Sequence, residues 1–342
     1  MHRQIVPEII VLGDINVDIV GRLDAPPLLG GDCLAPELEL HCGGVGANTS
    51  LALARWGHAA RLLGCAGRDW FGDFALEVLR REGVDVTFVQ QTEQALTGLI
   101  LSAVAPDGQR TMIGSRGANQ LLQETPPFDQ VFEGVAGVHL MGYNFLTPSV
   151  AQVAKRLLAE MRRRGGWVSF DVGMAPSQQA GQAVLATAKE VDTIFLSSDE
   201  AALLTGQQES RKALEALEQI GARDAVIKLG KQGCLFQQDE QVRHAPAFPV
   251  DAVDTTGAGD AFTAAFLHAR LRGWPQEECA LLANAAGAAA ASVTGAGEQM
   301  PGPRRVFELL STAPLPAEWD LVGAKLRERM KQELPLAANA KL

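Results

Sequence analysis

Residues 254–262, DTTGAGDAF, run three small residues, Gly257, Ala258 and Gly259, straight into a carboxylate, Asp260. A turn stripped of side chains at the start of a helix exposes backbone N–H groups. The helix dipole adds partial positive charge at the same place. Such a turn holds phosphate, or an anion that develops in a transition state. Asp260 in the first helical turn is a good helix start in its own right. Beside an anion site it has a second use. It can accept a proton from a hydroxyl while the turn steadies the phosphoryl group that this hydroxyl attacks.

A second glycine-rich stretch, GGVGAN at 43–48, leads Gly43 and Gly44 into another helix, and Asn48 brings both a donor and an acceptor. Asn48 either packs at its helix start or grips a polyol. Asn16 and Asp18, in GDINVD, follow the first strand and suit neighbouring sugar hydroxyls. Other glycine loops are excluded by spacing. No Gly-x-x-x-x-Gly-Lys-Ser/Thr string exists, and Thr49 and Phe262 stand where a dinucleotide fingerprint needs its third glycine.

These residues must be positioned by an α/β framework. EIIVLGD (8–14) reads as a buried strand, 46–57 as a helix, 59–67 as a strand and 71–83 as a helix. Helix 148–166, strand 167–172, helix 178–190, strand 193–197, helices 199–205 and 209–220 and strand 225–230 continue the alternation. Repeated β-α-β units predict a doubly wound, mostly parallel sheet flanked by helices. Residues 15–41, and two strands around Pro106-Asp107-Gly108 in 96–115, break the pattern and are expected to form a small β-sheet lid over the cleft. The α/β catalytic domain is then 1–14, 42–95 and 116–312, the lid is 15–41 with 96–115, and 313–342 is a helical extension expected to lie on the surface or against a partner.

Composition narrows the class. Hydrophobic residues make up 47% of 342 residues and charged ones 20%, as in a globular enzyme. A net charge of -10 speaks against nucleic acid or an anionic membrane as partner. Five cysteines without CxxC spacing argue against a zinc site or a disulfide framework and for a reducing cytoplasm. The N-terminal stretch does not read as a signal peptide, and no segment is apolar for long enough to span a bilayer.

GGVGANTSLALARWG and DTTGAGDAFTAAF resemble the two signatures of the ribokinase-like (PfkB) family of sugar kinases, in their order and separation. GDINVD, FGDFALEVLRREGVD, GAN at 117–119, DEAALLTG and VIKLGKQGCLF add weaker matches, and the resemblance spans roughly residues 8–302. It implies a ribokinase-like fold, nine-stranded or similar, and ATP-dependent phosphorylation of a hydroxymethyl group on a monosaccharide of the ribose, fructose or 2-keto-3-deoxygluconate type. It implies that Asp260 is the base and that the amides of Gly257, Ala258 and Gly259 form the anion hole. Asn16, Asp18, Gly43, Gly44 and Asn48 then meet the substrate, Lys228 and Gly230 line the nucleotide, and Asn284 lies near the adenine. Glu200 matches the acid that orients Mg2+ through water. Asp254 and Thr256 match a K+ site completed by carbonyls around Ala290, Val293 and Gly295. The resemblance also implies a homodimer through the lid. Ser197 stands where the family's metal motif commonly has Asn.

Two other readings compete. A nucleoside kinase on the same fold would favour aromatic residues in the lid, and 15–41 and 96–115 contain none. A non-catalytic sugar or nucleotide sensor could keep the cleft and drop the base, whereas Asp260 is present. A phosphosugar kinase would need a second anion site, for which Arg110 or Arg116 could serve.

Overall fold

The first strand sets the architecture. Ile9 and Val11 belong to one apolar cluster, Ile10 and Leu12 to another on the opposite face, and all four are fully buried. A strand buried on both faces needs helices above and below its sheet. The computed structural model describes residues 8–25, 30–105, 110–123, 128–238 and 241–338.

The strands are β1 Glu8–Leu12, β2 Asn16–Arg22, β3 Leu38–Gly43, β4 Ala60–Leu63, β5 Cys65–Gly67, β6 Gln90–Thr92, β7 Gly98–Val104, β8 Arg110–Ser115, β9 Val135–Met141, β10 Trp167–Asp171, β11 Thr193–Ser197, β12 Asp224–Lys228, β13 Cys234–Gln238 and β14 Gln241–Ala245. The helices are α1 Val45–Arg55, α2 Trp70–Arg81, α3 Phe128–Val131, α4 Pro148–Arg163, α5 Met174–Gln179, α6 Gly181–Ala188, α7 Ser198–Thr205, α8 Ser210–Gln219, α9 Ala258–Leu271, α10 Gln276–Ala291, α11 Pro303–Thr312 and α12 Asp320–Ala338.

The main sheet has eight strands in the order β14-β13-β12-β11-β10-β9-β1-β4, parallel from β12 to β4. β13 and β14 add an antiparallel edge. The chain leaves β1 for β4 on one side and returns through β9 on the other. The carboxyl ends at such a switch point open a crevice for ligand. Asp14, Asp171, Ser197 and Lys228 all stand at or just after carboxyl ends of these strands.

The two segments that break the alternation carry the strands of a four-stranded sheet, β3-β2-β7-β8. β2 and β7 pair in parallel, and β3 and β8 flank them antiparallel. The turn Pro106-Asp107-Gly108 lies outside the described residues. This sheet leaves Leu38, Leu101, Met112 and Ile113 exposed.

Some expectations need correction. The single strand over 59–67 is two, because the chain bends at Gly64, where a Cβ would lie 2.8 Å from the Gly13 carbonyl oxygen, and β5 leaves the main sheet to pair with β6. The helix over 178–190 is α5 and α6, parted at Ala180, whose φ of -133° is not helical. The C-terminal extension is no mere surface element. Trp319, Leu326 and Met330 are buried in the same cluster as α9 and α10. Glu333 of α12 also reaches His268 of α9 at 2.8 Å, and His268 meets His58 at 2.9 Å.

Candidate active site

α9 opens on Gly257, which takes a left-handed φ of 74° and supplies no side-chain cap. The first-turn amides of a helix have no carbonyl within the helix. Here Ala258 N–H turns back to the Thr255 carbonyl at 3.3 Å. No Cβ crowds the opening at Gly259, where one would find only Lys228 Nζ, at 3.7 Å. Asp260 sits in this first turn, and its Oδ2 accepts from Asn48 Nδ2 at 2.9 Å. The two glycine-rich stretches therefore meet, across 212 positions of chain, in one hydrogen bond. Burial chiefly pushes the Asp260 carboxyl up, to about 7. The Asn48 bond opposes that rise, Asp171 adds to it, Lys228 opposes it and Asp18 adds to it.

Next to Asp260 lies an ion pair that sequence reading did not single out. Lys228 Nζ donates to both Asp171 oxygens, at 3.0 and 2.8 Å, and Thr263 of α9 donates to Asp171 Oδ2 at 2.6 Å. Burial works against the Lys228 charge, but Asp171 and Glu200 more than offset it and hold the ammonium above its ordinary pKa. Glu200 and Ser197 cap α7 reciprocally: Ser197 N–H donates to Glu200 Oε2 at 2.8 Å, and Glu200 N–H donates to Ser197 Oγ at 3.2 Å. The serine in the metal motif thus has a local task. Burial raises the Glu200 carboxyl, while Lys228 lowers it. Asp171 closes β10, a placement that could have marked it, since strand ends line the crevice of an open α/β sheet.

The opposite wall comes from β1, β2 and β3. Asn16 stands in register with Gly43 and Gly98, and Asp18 with His41. A Cβ on Gly43 would lie 2.3 Å from Asp18 Oδ2, so glycine leaves room for this carboxylate. Gly44, at φ 91°, brings α1 against the backbone of Asp14 and Asn16. Burial pushes Asp18 up to about 6, with His41 opposing, and its Oδ1 has no partner. Asn48 Oδ1 is likewise buried and unpartnered. Asn119, from GAN, holds the corner: it accepts from Ile15 N–H at 2.8 Å and donates to Asn16 Oδ1 at 2.9 Å. Arg116 grips Asp14 with two parallel bonds of 2.7 and 2.8 Å. Its guanidinium also lies 5.8 Å from the Tyr143 ring centroid. Burial raises the Tyr143 phenol, and the charges of Asp14, Glu200 and Asp260 add to this against Arg116.

The other expected residues are structural in their contacts. Asp254 Oδ1 accepts from Thr256 N–H and Oγ1 at 2.9 and 2.6 Å, and its Oδ2 accepts from Gly295 N–H at 3.0 Å. The Ala290 carbonyl accepts from Val293 N–H at 3.2 Å in the same region. Asn284 donates to the carbonyls of Ala245 and Pro246 at 3.2 and 3.0 Å, fixing the chain after β14 to α10. Gly230 follows Lys228 in a short turn at φ 57°. No group of three or more His, Cys, Asp or Glu suited to a metal occurs among the described residues.

An open parallel sheet, an uncapped helix start at its crevice and a buried carboxylate beside it suit the transfer of a phosphoryl group to an alcohol. The chain belongs to the pfkB family of carbohydrate kinases, whose family model matches residues 6–303. It is 30% identical to the aminoimidazole riboside kinase of Salmonella typhimurium over 323 residues, 89% of this chain and 95% of that one. It is 27% identical to the ribokinase of Haemophilus influenzae, covering 89% and 98%. Among solved structures, the Arabidopsis thaliana ribokinase complexed with ribose and ATP superposes with a TM-score of 0.75 at 28% identity, covering 89% of this chain and 98% of that one. The Thermotoga maritima ribokinase gives 0.77 at 27%, covering 90% and 100%. The chain is an ATP-dependent kinase of the sugar and nucleoside class. No helix among the described residues is long and apolar enough to cross a membrane.

Proposed function

We propose that this kinase phosphorylates a hydroxymethyl group of a monosaccharide, with Asp260 as base. The carrying observation is the Asn48–Asp260 bond at the uncapped start of α9. It puts a carboxylate of pKa about 7 beside the amides of Gly257, Ala258 and Gly259. A group of that pKa takes a proton well near neutrality. The acceptor oxygen forms its bond to the γ-phosphorus, the bond to the departing ADP oxygen breaks, and the hydroxyl proton passes to Asp260. The α9 amides steady the charge on the phosphoryl oxygens.

Asn16, Asp18, Gly43, Gly44 and Asn48 form the acceptor wall. Lys228 supplies a fixed positive charge next to Gly259, and Gly230 gives the nucleotide a close backbone approach. Asn284 serves the adenine end by holding the backbone of 245–246 in place. Glu200, with Asp171 near it, suits a hydrated Mg2+, which would supply charge neutralisation on the phosphates. Asp254 and Thr256 organise the loop whose carbonyls at Ala290, Val293 and Gly295 suit K+. The exposed apolar residues of the small sheet suit a homodimer, and five thiols without a disulfide among the described residues suit the cytoplasm.

A riboside acceptor is the second reading, favoured by the likeness to the aminoimidazole riboside kinase. The small sheet, without an aromatic side chain for stacking a base, favours a free sugar. A non-catalytic sensor would have no use for the raised Asp260. The test is ATP consumption by the pure protein with Mg2+, with and without K+, across ribose, fructose, 2-keto-3-deoxygluconate, tagatose, inositol and nucleosides. Turnover with one acceptor is expected. ATP binding without any turnover would return the weight to a sensor.

A further inference from the structure

α12 lies outside the family-matched stretch of residues 6–303, yet it is fastened to α9 by more than apolar packing. Trp319, Leu326 and Met330 supply the apolar contact. Glu333 Oε2 meets His268 Nε2 at 2.8 Å, and Glu333 Oε1 pairs with Arg272 Nη1 at 2.9 Å. On the other side of the His268 ring, Nδ1 meets Nε2 of His58 at 2.9 Å. The His268 side chain is 1% exposed, and its ring centroid lies 4.6 Å from that of Trp56 and 5.6 Å from that of Trp274. Two imidazoles and a carboxylate thus form one buried relay beside two indoles.

The hydrogens of this relay follow from its members. A carboxylate only accepts, so His268 Nε2 carries the hydrogen toward Glu333. A neutral His268 then offers a lone pair at Nδ1, and His58 Nε2 carries the hydrogen between the rings. Nitrogens 2.9 Å apart hold one hydrogen between them. The packed pair therefore has room for one added proton at most, whereas two hydrated imidazoles take up one each. Even that proton is opposed. Burial chiefly holds His268 below its ordinary pKa; the bond and charge of Glu333 work against this, and Arg272 adds to it. From α10, Glu278 faces the same interface, where Arg329 of α12 pairs with it at 2.6 Å and lies 5.5 Å from the Trp274 ring centroid.

We infer that α12 is an acid-released clasp: it docks on α9 while the His58–His268 pair is neutral, and proton uptake by that pair frees it. The linkage has a definite sign. Opened rings bind protons below their ordinary pKa of about 6.5 and docked rings bind fewer, so docking is at full strength above that value and weakens as pH falls. One extra proton in the open state makes opening about tenfold more frequent at pH 5.5 than at pH 7.5, and two make it about a hundredfold. Released α12 leaves the apolar flank of α9 and α10 bare, and α9 carries the proposed base in its first turn. The clasp works in the same way whichever acceptor the enzyme takes.

The test is amide hydrogen exchange of the full chain at pH 7.5 and 5.5, corrected for intrinsic rates, in wild type and in a double variant, His58→Gln with His268→Gln. In wild type, protection of residues 326–333 should fall about tenfold or more at pH 5.5, while the central strands β9 and β10 lose less than about threefold. Protonation of Asp260 favours the native chain as pH falls, so it cannot produce that local loss. The double variant, with neither ring to protonate, should hold α12 protection within about threefold between the two pH values. Unchanged α12 protection in wild type overturns the inference. So does a loss shared equally by β9 and β10, or a folded double variant that loses as much as wild type. Should the double variant not fold, the wild-type contrast between α12 and the strands decides alone.

Discussion

Replacing Asp260 by Asn tests the proposed base and makes an uncommon double forecast. The amide is isosteric, and its oxygen can still accept from Asn48 Nδ2, so the start of α9 should keep its shape. Loss of a positioned base costs roughly 10²–10⁴ in rate, or about 3–5.5 kcal/mol of barrier. kcat should fall by that factor while KM for ATP stays within a few-fold. In the wild type, kcat/KM should decline as pH falls through about 7, where the carboxyl takes up its proton. Stability should move the other way. The folded pKa, about 7, lies above the ordinary 3.8, so the native state binds the extra proton between those values. Wild-type stability therefore falls as pH rises through that window, and the ionised carboxyl carries a penalty above it. The full shift corresponds to at most about 4 kcal/mol. Asp260→Asn should thus melt a few degrees higher than wild type at pH 8, and the gap should close at pH 4. A coupled ATP assay and thermal melts at the two pH values measure both effects. Activity within tenfold of wild type, or a melting difference that ignores pH, would refute the reasoning.

Other outcomes follow from neighbouring contacts. Asn48→Ala removes the bond that holds the Asp260 pKa down, so the acid limb of kcat/KM should move to higher pH. Asp171→Asn strips Lys228 of its counter-charge, and a broken buried pair costs roughly 3–5 kcal/mol; both the melting temperature and kcat should drop, and Asp171→Glu should recover part of each. Gly43→Ala drives a methyl into Asp18, so KM for the sugar should rise at least about tenfold with little change in KM for ATP. Ending the chain at Thr312 removes Trp319, Leu326 and Met330 from the core and should cost more than about 3 kcal/mol, read as a lower melting point or insoluble protein.

What the sequence disclosed was local. Helix starts, bare turns and buried strands are written within a dozen residues, and Gly257–Asp260, Gly43–Asn48 and the β-α alternation are of that kind. Pairings between distant segments were not legible. Asp171 carried no motif of its own, and its meaning comes from Lys228, 57 positions away, and from Thr263. Arg116 looked like an available cation until the fold set it on Asp14, 102 positions earlier. Tyr143 carried no motif either, and its place beside Arg116 comes only with the fold. The tail misled for a related reason. Its charges read as surface, while its burial depends on α9 and α10 offering an apolar partner.

The His58–His268–Glu333 chain ties α12 to the helix that begins with the proposed base. Glu333 is synthesised after Asp260, so a nascent chain that has reached α9 still lacks this packing partner. Until α12 docks, the apolar flank of α9 and α10 is open to chaperones or to other nascent chains. The packing of α9 is accordingly completed by residues outside the family-matched stretch of 6–303.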